Sequence, residues 1–77
     1  MASETIRALL ERAFPEAAEV EVVDRTGAGD HLHVTVVSHR FGSLALIDQH
    51  RLVNAALAAP LADGTIHELR ITTRGAA

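Results

Sequence analysis

The chain has 77 residues, room for one domain with a thin core. It contains no cysteine, which excludes disulfides and any self-supplied thiolate site and fits a reducing compartment. Seven basic residues, all arginine, stand against ten acidic ones for a formal charge of −3, which argues against a generic phosphate-binding surface.

The first predicted element is a helix over Ser3–Phe14. Ser3 can cap it, and Glu4 favours the positive end of the helix dipole. Ile6, Leu9, Leu10 and Ala13 then share one face, and Pro15 ends the run because it has no amide to donate. Glu19–Arg25 alternates as a strand, with Val20 and Val22 on one face and Glu19, Glu21 and Val23 on the other. Thr26-Gly27-Ala28-Gly29-Asp30 is a glycine turn leading into a second strand, His31–Ser38, so the two strands form a hairpin. In that strand Leu32, Val34 and Val36 mark the core face, which puts His31 and His33 together on the other.

Phe41-Gly42-Ser43 breaks the pattern. A short helical turn is expected over Ser43–Ile47, followed by a helix from an Asp48 cap to about Ala58 with Val53, Ala56 and Leu57 inward. Pro60 and Gly64 close the helical region. Thr65–Thr73 reads as the last strand, with His67, Leu69 and Ile71 on one face, and Arg74–Ala77 as a frayed tail. The order is α-β-β-α-α-β. It predicts an α/β (α+β) domain over residues 1–77, in which a three-stranded mixed sheet carries its helices on one face. No apolar run approaches the ~20 residues of a membrane span, and Met1-Ala2-Ser3-Glu4 lacks a signal core, so a cytoplasmic, membrane-free protein is expected.

The sequence offers no catalytic set. There is no cysteine nucleophile, no serine lies in a nucleophile elbow, and Gly27-Ala28-Gly29 is too short for a dinucleotide fingerprint. The expectation is a domain that docks onto a partner and is not an enzyme.

The five histidines are the unusual feature. His33 reads as an exposed strand residue and His39 as a solvated loop residue. His50 and Arg51 fall in the first turn of the long helix, on an exposed polar face. For His67, alternation with Leu69 and Ile71 favours a packed, hydrogen-bonded ring over one presented at a sheet end. No two histidines have the spacing of a self-contained zinc site.

Several segments resemble one family. Asp24-Arg25-Thr26-Gly27-Ala28-Gly29-Asp30-His31-Leu32-His33-Val34 is similar to the loop and second strand of BolA-like proteins. Gln49-His50-Arg51-Leu52-Val53-Asn54-Ala55-Ala56-Leu57 resembles their central signature, and Ile66-His67-Glu68-Leu69 their last strand. The short-loop, IbaG-like bacterial members are the most similar subgroup. Gln49 stands where the family often has Arg, and in Phe41-Gly42-Ser43 the glycine comes one place early. The resemblance implies a fold related to the type II KH arrangement, without its Gly-x-x-Gly loop.

The resemblance also implies partnership with monothiol glutaredoxins and a 2Fe–2S cluster shared with glutaredoxin and glutathione, with no cofactor when the chain is alone. His67 matches the family's last-strand ligand and His31 its loop ligand, with Asp30 a weaker, oxygen-donor substitute. His50, Arg51, Gly29 and Asp30 would shape the partner surface. The alternative is a DNA- or RNA-binding transcriptional regulator that uses Arg51 and His50 on the helical face. The free protein is expected to be a monomer or a weak homodimer that covers its open sheet face.

Overall fold

The computed structural model describes residues 2–76. Its elements are α1 (Ala2–Ala13), β1 (Glu19–Asp24), β2 (His31–Val37), a 3₁₀ turn (His39–Phe41), α2 (Leu46–Ala56), α3 (Ala58–Ala62) and β3 (Glu68–Arg74). The strand order is β1-β2-β3. β1 pairs antiparallel to β2, and β3 pairs parallel to β2.

Alternation along β2 fixes the two faces of the sheet. Leu32, Val34 and Val36 are fully buried. In register with them stand Val20 and Val22 of β1 and Leu69, Ile71 and Thr73 of β3. Ile6 and Leu10 of α1, Phe14, Phe41, Val53, Leu57 and Ile66 complete the core over this face. Each fully buried large apolar side chain contributes roughly 1.5–3 kcal/mol. Phe14 and Phe41 meet edge to face with ring centres 5.5 Å apart, and the Arg40 guanidinium lies 5.3 Å from the Phe14 ring centre. The opposite face carries His31, His33 and Thr35, with Glu21 and Val23 of β1 on one side and Glu68, Arg70 and Thr72 of β3 on the other.

The helical region differs from the sequence expectation in three ways. The segment after Ser38 opens with the 3₁₀ turn at His39–Phe41, where the Ser38 hydroxyl accepts the Arg40 N–H at 3.1 Å. α2 starts at Leu46, with Ala45 rather than Asp48 at the cap position and no side-chain cap. Asp48 lies inside the first turn, where its charge still suits the helix dipole. The chain then breaks at Leu57, so the second helix of the pair is the short α3. Pro60 lies within α3 and does not end it. The position falls in the first turn, where an amide would have no helical partner. At the N-terminus, Ser3 likewise sits inside α1 and is not its cap.

Gln49 ties this region together. Its Nε2 donates to the carbonyls of Phe41 (3.1 Å) and Leu44 (2.9 Å), and its Oε1 accepts the Thr73 hydroxyl at 2.6 Å. The segment 74–76 is also held, not frayed. Ser38 N–H donates to the Arg74 carbonyl and Ala76 N–H to the Ser38 carbonyl. Ala77 lies outside the described residues. Gly75 approaches Gly42 so closely that a β-carbon at Gly75 would fall 3.0 Å from the Gly42 Cα. That approach gives a physical reason for a glycine at position 75, whereas a β-carbon at Gly42 would meet only the His39 carbonyl at an ordinary 3.5 Å.

Candidate functional site

The turn between β1 and β2 builds one end of the sheet. Gly27 and Gly29 take φ of +82° and +83°, a left-handed backbone that glycine adopts without a β-carbon clash. Asp24 Oδ1 accepts the N–H groups of Thr26 (3.2 Å) and Gly27 (2.8 Å), and Arg25 N–H donates to the His31 carbonyl at 2.8 Å. These bonds deliver Asp30 to the sheet end. Its carbonyl there accepts the N–H groups of His67 (2.8 Å) and Glu68 (3.1 Å), which starts β3 beside β2.

Two histidine rings meet over Asp30. His31 Nδ1 lies 2.9 Å from Asp30 Oδ1, and His67 Nδ1 lies 3.1 Å from Asp30 Oδ2. The rings stand edge to face, 85° apart in plane, with centres separated by 6.3 Å. Each Nε2 faces away from the carboxylate and has no hydrogen-bond partner among the described residues. The Asp30–His31 hydrogen bond holds the Asp30 carboxyl below its ordinary 3.8 and raises His31 above its ordinary 6.5. Arg25 Nη1 pairs with Glu68 Oε1 at 2.9 Å beside this group, and Glu68 is in register with His31.

His67 is not packed. Its side chain is 64% exposed, so it is a ring presented at the sheet end. The reason lies in where β3 begins. Residues 65–67 precede the ladder, so strand alternation does not govern them. Ile66 takes the buried position, with its N–H on the Pro60 carbonyl, and the next side chain turns outward. Both Asp30 carboxylate oxygens are engaged by the rings, which makes Asp30 the group behind them.

The remaining candidates lie elsewhere. His33 is half-buried on the open face and shares a 2.8 Å hydrogen bond with Thr72 Oγ1, and His39 is exposed on the 3₁₀ turn. His50 and Arg51 follow Gln49, which is anchored on Thr73, whereas His67 is just before the start of β3. Six residues of strand span roughly 20 Å, so the fold separates the His50–Arg51 region from the histidine pair by about that distance. Arg51 is exposed and lies 3.4 Å from Asp48 Oδ1. Gly29 shapes the turn that presents Asp30. The sequence reading missed Asp30 as the link between the two rings. The signal available was an acidic residue directly before a strand-leading histidine.

The described residues contain no group of three or more His, Cys, Asp or Glu side chains able to hold a metal ion. Among the described residues no helix is long and apolar enough to cross a membrane.

Comparison with known proteins agrees with this architecture. The family model "BolA-like protein" matches residues 10–77. RP812 of Rickettsia prowazekii is 30% identical over 73 residues, covering 95% of this chain and 92% of that protein. BolA-like protein 1 of Pongo abelii is 41% identical over 75 residues, covering 90% of this chain and 54% of that protein, so the chain spans about half of that relative's length. A 47-residue stretch is 51% identical to the DNA-binding transcriptional regulator BolA of Vibrio cholerae, over 61% of this chain and 43% of that protein. Among solved structures, BolA1 from Arabidopsis thaliana superposes with a TM-score of 0.86 at 26% identity, covering 97% of this chain and 92% of that one. The BolA domain of SufE1 from the same plant gives 0.84 at 28%, covering 95% and 90%. A three-stranded mixed sheet with three helices thus matches the BolA structures. The chain belongs to the BolA-like family.

Proposed function

We propose that this chain is a non-enzymatic, cytoplasmic partner of a monothiol glutaredoxin, to which it lends His31 and His67 as ligands of a shared 2Fe–2S cluster. The observation that carries the reading is the pair itself, two accessible rings with both Nδ1 atoms on one carboxylate and both Nε2 atoms without a partner among the described residues. The donor chemistry fits. Histidine pairs are accepted in 2Fe–2S sites, but the other ligands are thiolates, which a cysteine-free chain must obtain from outside. A glutaredoxin cysteine and a glutathione thiol supply them. When bound, the cluster supplies one-electron redox chemistry and transferable iron and sulfide. The role follows as cluster assembly, trafficking or iron-dependent regulation. Mixing the protein with a monothiol glutaredoxin, iron, sulfide and glutathione should yield a coloured heterodimer on gel filtration. Recovery of the glutaredoxin homodimer alone would refute the reading.

A second reading is DNA binding through the exposed Arg51 and the neighbouring His50. It is favoured by the similarity to the DNA-binding transcriptional regulator of Vibrio cholerae and by the exposure of Arg51. The formal charge of −3 and the 3.4 Å approach of Asp48 to Arg51 oppose it. A duplex gel shift that weakens steeply with salt would support it.

A further inference from the structure

One carboxylate serves two rings drawn from different parts of the chain. Asp30 Oδ1 faces His31 Nδ1 and Oδ2 faces His67 Nδ1. A neutral imidazole carries a single N–H, and the group it faces decides which nitrogen holds it. An ionised carboxylate only accepts, so each ring must donate from Nδ1. A neutral histidine side chain in water prefers the Nε2–H form, so this arrangement reverses the preference at both rings.

Resting on the cluster-sharing reading above, we propose that Asp30 is a positioning residue that locks His31 and His67 together in the Nδ1–H tautomer, so that both Nε2 lone pairs are free for a shared metal centre. The carboxylate does for two ligands what a partner behind a metal-bound histidine does for one, fixing the tautomer and the ring direction. Thr26 supports it by donating its hydroxyl to Oδ1 at 3.3 Å. The backbone contribution of Asp30 is separate. Its carbonyl holds the His67 and Glu68 N–H groups whatever side chain stands at position 30, so side-chain variants keep the start of β3.

Asp30→Asn is the discriminating variant, because a carboxamide offers one acceptor and one donor. It can keep one ring as Nδ1–H and must push the other toward Nε2–H. Asp30→Ala releases both. The test is long-range ¹H–¹⁵N correlation of the ¹⁵N-labelled free protein, at a pH where both rings are neutral, combined with titration of glutaredoxin and cluster components. The wild type should show Nδ1–H at both rings, Asp30→Asn should show one ring switched, and heterodimer assembly should weaken roughly 10–100-fold. An Nε2–H wild-type ring, or tautomers unchanged in Asp30→Asn, would overturn the proposal. If the tautomers respond as expected but the wild type assembles no heterodimer, the positioning role stands and the glutaredoxin reading fails.

Discussion

His31 and His67 lie edge to face with ring centres 6.3 Å apart, although one leads β2 and the other precedes β3. Parallel pairing of β2 and β3 brings both to the same sheet end, and neither ring forms part of the buried core. Replacing either ring should therefore leave the fold intact and remove the heterodimer's cluster. We expect unchanged far-UV circular dichroism for His67→Ala and His31→Ala. Each variant should lose the visible circular dichroism that distinguishes the heterodimer from the glutaredoxin homodimer.

The Asp30–His31 bond has a pH signature in the free protein. His31 is raised above its ordinary 6.5, chiefly by the hydrogen bond to Asp30. A group whose folded value is raised adds stability that is complete below the unfolded value and is lost as pH rises through the folded one. Stability from this ring should accordingly fall on the alkaline side of pH 6.5. Glu16 behaves oppositely. A backbone hydrogen bond and then the Ser38 hydroxyl hold it below its ordinary 4.5, so its contribution is present above that value and is lost as acid takes pH through the lower folded one. Urea unfolding across pH should show a shallower alkaline slope in His31→Ala and a shallower acid slope in Glu16→Gln.

Gln49 makes three hydrogen bonds, two to the stretch from the 3₁₀ turn to α2 and one to β3. Gln49→Ala leaves the nearly buried Thr73 hydroxyl and two carbonyls without this partner. We expect a loss of about 1–3 kcal/mol, read from the urea midpoint at unchanged m-value.

Gly75→Ala tests the contact between the segment after β3 and the turn after the 3₁₀ helix. The added β-carbon would lie 3.0 Å from the Gly42 Cα and 3.2 Å from its nitrogen, backbone atoms that cannot rotate away. Either that segment or the turn must move. Thermal unfolding should show a lower midpoint than wild type, and amide exchange should quicken at Ala76, whose N–H is bonded to Ser38.

Much of the fold was legible because two periodicities are strong. The alternation of Leu32, Val34 and Val36 predicted the core face of β2, and the Ile6/Leu10 spacing predicted the inner face of α1. The helix boundaries after Ser38 were less legible. Asp48 has the chemistry of a cap, yet the backbone turns helical at Leu46 and Gln49 anchors the entry from within the first turns. The candidate site was half legible. Family resemblance pointed to His31 and His67. Strand alternation extended past the start of the ladder and placed His67 on the packed face, whereas the Asp30 backbone clamp leaves it exposed. The link through Asp30 joins residues far apart in the chain, so no local pattern encodes it.

In the proposed role, this chain supplies imidazole nitrogens to a cluster whose sulfur ligands come from its partner. Electron–nuclear double resonance on the reduced heterodimer tests it most directly, with this chain labelled in ¹⁵N-histidine and the glutaredoxin left unlabelled. Two strongly coupled ¹⁵N nuclei are expected, one of them lost in His31→Ala and the other in His67→Ala. A spectrum with no strongly coupled ¹⁵N would contradict it.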